Sequence, residues 1–117
     1  MELVACLSTG KGTWAQVSQL IKQGDWTKIY LITNEFGKEN FTKDQKTELI
    51  PINDKQEVNE MRDEIITKLR PLIKTPEVAV NITSGTGKEH TALITALLKL
   101  GLSIRFYTNT KSGVEEI

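Results

Sequence analysis

Net charge is what this 117-residue chain most plainly lacks: fifteen Lys and Arg residues cancel fifteen Asp and Glu residues. A balanced surface excludes an extended nucleic-acid-coating face and a polybasic membrane patch, so an anion site has to come from a local arrangement. Cysteine and histidine are nearly absent, with one of each. The single Cys6 excludes an intrachain disulfide and, inside the apolar run Leu3-Val4-Ala5-Cys6-Leu7, reads as a core residue rather than a nucleophile. One Cys and one His make no zinc cluster, and neither a metal site nor a cofactor is read from the sequence. Long apolar runs are missing too, and the first short one, which begins after Glu2 and passes straight into polar residues, resembles neither a signal peptide nor a membrane span. Repeats and low-complexity linkers are absent. The expectation is a soluble cytoplasmic protein with one ligand-binding domain over residues 1–107 and a polar, unpatterned tail over 108–117 that is mobile or ordered by a partner.

What is present centres on the stretch from Val78 to Thr91, which reads Val-Ala-Val-Asn-Ile-Thr-Ser-Gly-Thr-Gly-Lys-Glu-His-Thr and leads into the apolar run Ala92 to Leu98. A β-branched run, a small glycine-rich turn and a helix apolar on nearly every side predict a buried parallel strand feeding a buried helix. The first turn of a helix leaves amide donors unpaired and carries partial positive charge, so such a turn can hold a phosphate. Lys88 adds a full charge there. The Walker A pattern fails, because its first glycine falls at Ile82 and Glu89 stands where Ser or Thr binds magnesium. A G-x-G-x-x-G fingerprint fails as well, since His90 stands at its third glycine.

A second strand, glycine turn and helix opens the chain: Leu3–Leu7, then Ser8-Thr9-Gly10-Lys11-Gly12, then a helix that Thr13 caps, with Trp14, Val17, Leu20 and Ile21 at helical spacing and Gly24 at its stop. Lys28–Thr33 reads as the second strand and Asn34–Lys38 as the loop leaving it. Thr47–Ile52 is a third strand, placed at an edge by Pro51. Asp54 and Glu57 suggest a capping box ahead of a helix carrying Val58, Met61, Ile65, Leu69 and Leu72, which Pro71 shortens. Gly101 closes the helix after Lys88, and Leu102–Tyr107 forms a last strand. The alternation predicts an α/β open parallel sheet of about five strands in order 3-2-1-4-5 with helices on both faces. Ligands of such sheets bind beyond the carboxyl ends of the strands where the order reverses, which brings the loops Ser8–Gly12 and Thr83–Lys88 together.

Asn81-Ile82-Thr83-Ser84-Gly85-Thr86-Gly87-Lys88, followed by His90, Ala92, Leu93 and Leu97, resembles the signature of CARF domains, the CRISPR-associated Rossmann fold, and Ser8-Thr9-Gly10 resembles the turn after that family's first strand. Ser84 stands for one glycine of the family pattern, and Gly87 is an extra small residue before the lysine. The resemblance implies a Rossmann-like homodimer that binds cyclic oligoadenylate, a small cyclic RNA, across its two-fold axis. It implies either a ring nuclease that ends the antiviral signal or a sensor acting through a separate effector chain. In a ring nuclease the ligand's own 2′-hydroxyl attacks its phosphate, and Lys88, Ser8 and Thr9 are the catalytic candidates. Gly10, Lys11, Asn34, Phe36, Thr83, Ser84, Gly85, Thr86, Gly87 and His90 are the ligand-binding candidates. An unrelated Rossmann-like domain for a mononucleotide or sugar phosphate is the reading of a different class.

Each candidate has a plainer alternative. Ser8, Thr9 and Thr86 are equally turn or cap residues, and Lys11 reads first as an exposed loop lysine. His90 reads as a surface or interface residue before a catalytic one, because it lies two positions from Lys88 and faces another side of the helix. Trp14 reads as core or dimer surface, which leaves Phe36 as the candidate for base contact.

Overall fold

The computed structural model describes residues 1–7 and 11–117, with Lys11 through its backbone alone. Strands β1 (Leu3–Cys6) and β2 (Ile29–Thr33) are buried at every position, as expected of near-continuous apolar runs covered on both faces. They pair in parallel with each other, β2 pairs with β3 (Thr47–Pro51), and β1 pairs with β4 (Glu77–Asn81), all parallel. β5 (Ser103–Thr110) continues the parallel sheet beside β4. With β6 (Gly113–Glu116) beyond β5, the protein is an α/β fold around a mostly parallel sheet in the order β3-β2-β1-β4-β5-β6. Pro51 lies on the edge strand β3, where its missing N–H costs no ladder bond.

The sixth strand corrects the sequence reading, which ended the sheet at five. β5 runs on to Thr110, turns, and returns antiparallel as β6 (Gly113–Glu116), so residues 108–117 are no loose tail. Hydrophobic period missed this hairpin because side-chain polar links secure much of it. Arg105 donates through Nη2 to Glu116 Oε1 at 2.6 Å and through Nε to Glu116 Oε2 at 2.8 Å, a two-point clamp, and also pairs with Glu77 of β4 at 3.5 Å.

Alternation along the strands divides the core between the two faces. Val4, Cys6, Tyr30, Ile32, Val78 and Val80 pack against Met61, Ile65 and Leu69 of α3 (Val58–Leu69) and Ala92, Leu93, Ala96 and Leu97 of α4 (Gly87–Lys99). Leu3, Ala5, Leu7, Ile29, Leu31 and Ala79 pack against Trp14, Val17 and Leu20 of α1 (Trp14–Gln23). Trp14 is therefore core, with its ring against Phe36 and Phe41.

Three local expectations change. The segment after β2 is the short helix α2 (Glu35–Asn40), not a loop, because Asn34 Oδ1 accepts from the Gly37 N–H and caps it. The capping box of α3 joins Glu57 to Glu60, which releases Asp54 and leaves Val58 exposed on the first turn. Thr13 precedes α1 but makes no side-chain cap bond, because a 3-10 turn (Lys11–Thr13) runs directly into the helix and removes the extended backbone that capping needs.

Candidate functional site

Where the order of the parallel strands reverses, β1 and β4 lie side by side, and the carboxyl end of β4 delivers the chain to the glycine turn ahead of α4. Ser8, Thr9, Gly10 and the side chain of Lys11, all candidates from the sequence, lie outside the described residues.

Asn81, the last residue of β4, is buried and holds the turn at both ends of its amide. Its Nδ2 donates to the Tyr107 carbonyl of β5 at 2.8 Å, and its Oδ1 accepts from the Thr83 N–H at 3.2 Å. Thr83 is exposed, whereas Ser84 is buried. Gly85 then takes φ +105°, in the region L side chains avoid, and a Cβ there would lie 3.0 Å from Glu89 Oε1, 3.1 Å from His90 Nε2 and 3.2 Å from Cys6 Cβ. The conformation is what favours glycine, and a Cβ would in addition make these neighbours give by a few tenths of an ångström.

Thr86 is the N-cap of α4. Its hydroxyl accepts from the Glu89 N–H at 3.2 Å, while the Glu89 carboxylate accepts from the Thr86 N–H at 2.8 Å, a complete capping box. Glu89, which breaks the Walker pattern, thus places its own negative charge at the helix start. The N–H groups of Gly87 and Lys88, first and second in the helix, have no intrahelical acceptor and lie on exposed residues. Lys88 reaches across the top of the sheet, donating from Nζ to the Asp54 carbonyl at 3.0 Å. A main-chain oxygen, rather than an anionic side chain, therefore meets the cation that the sequence left unaccompanied at a helix N-terminus.

His90 Nε2 lies 2.8 Å from the Ser84 carbonyl. A carbonyl oxygen only accepts, so Nε2 carries the proton and the ring is tied to the turn. Burial and the nearby Glu89 charge push the Cys6 thiol well above its ordinary range, which makes it an inert core residue as the sequence suggested.

Beyond β2 and β3 a cleft of about 530 Å³ opens. Asn34 and Phe36, both named from the sequence, line it together with Asp54, which was not. Asn34 Nδ2 donates to Asp54 Oδ2 at 2.8 Å, so Asn34 joins α2 to Asp54, and Asp54 in turn joins Lys88. The far wall is the pair Glu64 and Lys68, 2.8 Å apart, with Lys68 Nζ also donating to the Pro51 carbonyl. Burial raises the Glu64 pKa, but hydrogen bonds from Lys68, the Asn53 N–H and Gln56, with the Lys68 charge, outweigh it and hold the carboxyl below its usual range.

Among the described residues no group of three or more His, Cys, Asp or Glu side chains could hold a metal ion, and no helix is long and apolar enough to cross a membrane. Comparison with protein-family models and with curated proteins finds no match to this chain.

Proposed function

We propose that this chain is a Rossmann-like cytoplasmic domain that binds cyclic oligoadenylate across a homodimer axis and cleaves the ring, switching off an antiviral signal. One observation carries the reading: the turn after β4, next to the end of β1, leads into a helix whose first two N–H groups lie on the exposed residues Gly87 and Lys88, with the Lys88 ammonium extending from the same turn to the Asp54 carbonyl. That set of donors fits a phosphate oxygen and lies where open α/β sheets take ligands. In the ring, a ribose 2′-oxygen bonds to the neighbouring phosphorus, the bond to the 5′-oxygen breaks, and the 2′-hydroxyl proton passes to that leaving oxygen. The product is a 2′,3′-cyclic phosphate. Lys88 neutralises charge on the phosphoryl oxygens, and the described turn aligns them, with Ser8 and Thr9 assigned to the same phosphate from the other loop. A two-fold-symmetric ring meets the same loops from each subunit, which lets a chain without net charge hold a polyanion.

The test is incubation of the protein with cyclic tetra- and hexa-adenylate in the absence of metal. Loss of the ring with appearance of a cyclic phosphate is expected, and a dimer is expected by light scattering. An untouched ring that is still bound tightly selects the sensor acting through a separate effector. That second reading is favoured by His90, the chain's single histidine, whose Nε2 is tied to the Ser84 carbonyl, leaving Nδ1 alone for proton transfer. A co-purifying mononucleotide or sugar phosphate in place of the ring would select the unrelated phosphate-binding class.

A further inference from the structure

We propose that the cleft beyond β2 and β3 is a nucleoside subsite in which Asp54 accepts a hydrogen bond from the ribose 2′-hydroxyl and Phe36 carries the base. The inference rests on the proposed function for its phosphate end and adds a recognition element that reading does not contain.

The cleft's charge argues against a second phosphate. Its ionisable lining is Glu35, Asp54 and Glu64 against Lys55 and Lys68, and Lys68 is already spent on Glu64. What remains favours hydroxyl donors over anions. Asp54 is prepared for one. Asn34 cannot turn over, because its Oδ1 is occupied by the Gly37 N–H at 3.0 Å, so its Nδ2 fixes Asp54 Oδ2 at 2.8 Å. The second carboxylate oxygen of Asp54 has no partner among the described residues. A carboxylate with one oxygen fixed and one open is a preorganised acceptor.

The rest of the cleft fits a base. Phe36 is held from behind by Trp14, ring centroids 5.9 Å apart at 53°, and is half-buried on the cleft wall. Half-buried Pro51 adds apolar surface over the core residue Ile52, and the volume of about 530 Å³ falls within the range of small-ligand pockets. A free sugar would leave that aromatic and aliphatic surface unused, whereas a nucleobase covers it. The two ends connect through one residue. The Asp54 carbonyl accepts from Lys88 at 3.0 Å while its side chain faces the cleft, so a ribose on the carboxylate places its phosphate toward Lys88. In ring cleavage the same contact orients the attacking 2′-oxygen.

The experiment titrates AMP and 2′-deoxy-AMP into the 15N-labelled protein and into Asp54→Asn, following the amides of Asn34, Phe36 and Asn53. Asp54→Asn keeps the main-chain carbonyl and one oxygen for Asn34 but turns the open oxygen into a donor. AMP is expected to move these amides and to bind about tenfold or more tightly than 2′-deoxy-AMP, the scale of one hydrogen bond to a charged group. In Asp54→Asn that preference should shrink severalfold, because an amide meets the hydroxyl without charge assistance, with 2′-deoxy-AMP binding unchanged. Equal binding of the two nucleotides, AMP shifts confined to other residues, or no shift at millimolar AMP would each overturn the subsite. Ring cleavage assayed on the same sample separates the two readings. Cleavage without AMP in the cleft removes the subsite and leaves the proposed function, and AMP in the cleft with an intact ring does the reverse.

Discussion

Lys88 Nζ donates to the Asp54 carbonyl at 3.0 Å, tying the first turn of α4 to the segment between β3 and α3. The bond is exposed, so water replaces it readily, and it holds Lys88 over the site at little energetic gain. Lys88→Ala should therefore change unfolding free energy by less than about 0.5 kcal/mol, since it removes no buried apolar area and introduces a strong helix former. Ring affinity should fall by about 1.5–3 kcal/mol, the loss of a charge-assisted hydrogen bond. Urea denaturation and ligand titration on the one variant measure both, and wild-type affinity in a normally folded Lys88→Ala protein would remove Lys88 from the site.

Gly85 and Gly87 flank Thr86 but answer differently to the same substitution. At Gly85, alanine meets an unfavourable φ of +105° and three neighbours within 3.2 Å, including the buried Cys6. A loss of about 1–3 kcal/mol is expected, the scale of a strained backbone position. At Gly87 a Cβ meets nothing within 4 Å, and the residue begins a helix, so Gly87→Ala should be neutral or slightly stabilising. Equal midpoints for the two variants in urea would contradict the described turn.

The parallel order, the switch point and the turn after β4 were legible because buried strands and amphipathic helices repeat at fixed periods, as Met61, Ile65 and Leu69 do. The β5–β6 hairpin was not. Its ties include polar links such as Arg105 to Glu116, 11 residues apart, which no local period records. Asp54 was missed for a related reason. Asp54 and Glu57 have capping-box spacing, but Glu57 pairs with Glu60, and the Asp54 partners Asn34 and Lys88 lie 20 and 34 residues away. Asn34 did carry a local signal, since an Asn ahead of Glu-Phe-Gly suits an N-cap, and reading it so would have turned the loop into α2.

Gly24 is the helix stop read from the sequence, the C-cap of α1 with its N–H on the Leu20 carbonyl, and its backbone is extended at φ −84°, ψ 154°, a conformation any residue adopts. Its requirement for glycine comes from Trp26. A Cβ at position 24 would lie 2.1 Å from Trp26 Nε1, the atom that donates to the Leu20 carbonyl at 2.9 Å. Gly24→Ala should displace the indole, cost about 2 kcal/mol or more through overpacking and a lost buried hydrogen bond, and shift tryptophan emission to the red. Unchanged emission with unchanged stability would contradict this packing.

Glu64 gives the acid limb of stability a defined origin. Its pKa in the folded protein is held below the ordinary value of about 4.3 by Lys68, the Asn53 N–H and Gln56, despite burial acting the other way. A carboxyl whose folded pKa is lowered binds fewer protons folded than unfolded, so its contribution is present in full above the unfolded pKa and is lost as pH falls through the folded one. Glu64→Gln keeps the shape and an acceptor oxygen but removes the charge facing Lys68. The variant should be less stable than wild type at pH 7, and the difference should shrink below about pH 4.3 as the wild-type carboxylate protonates. Urea midpoints of the two proteins between neutral and acid pH test the argument, and a gap that stays constant or widens on acidification would refute it.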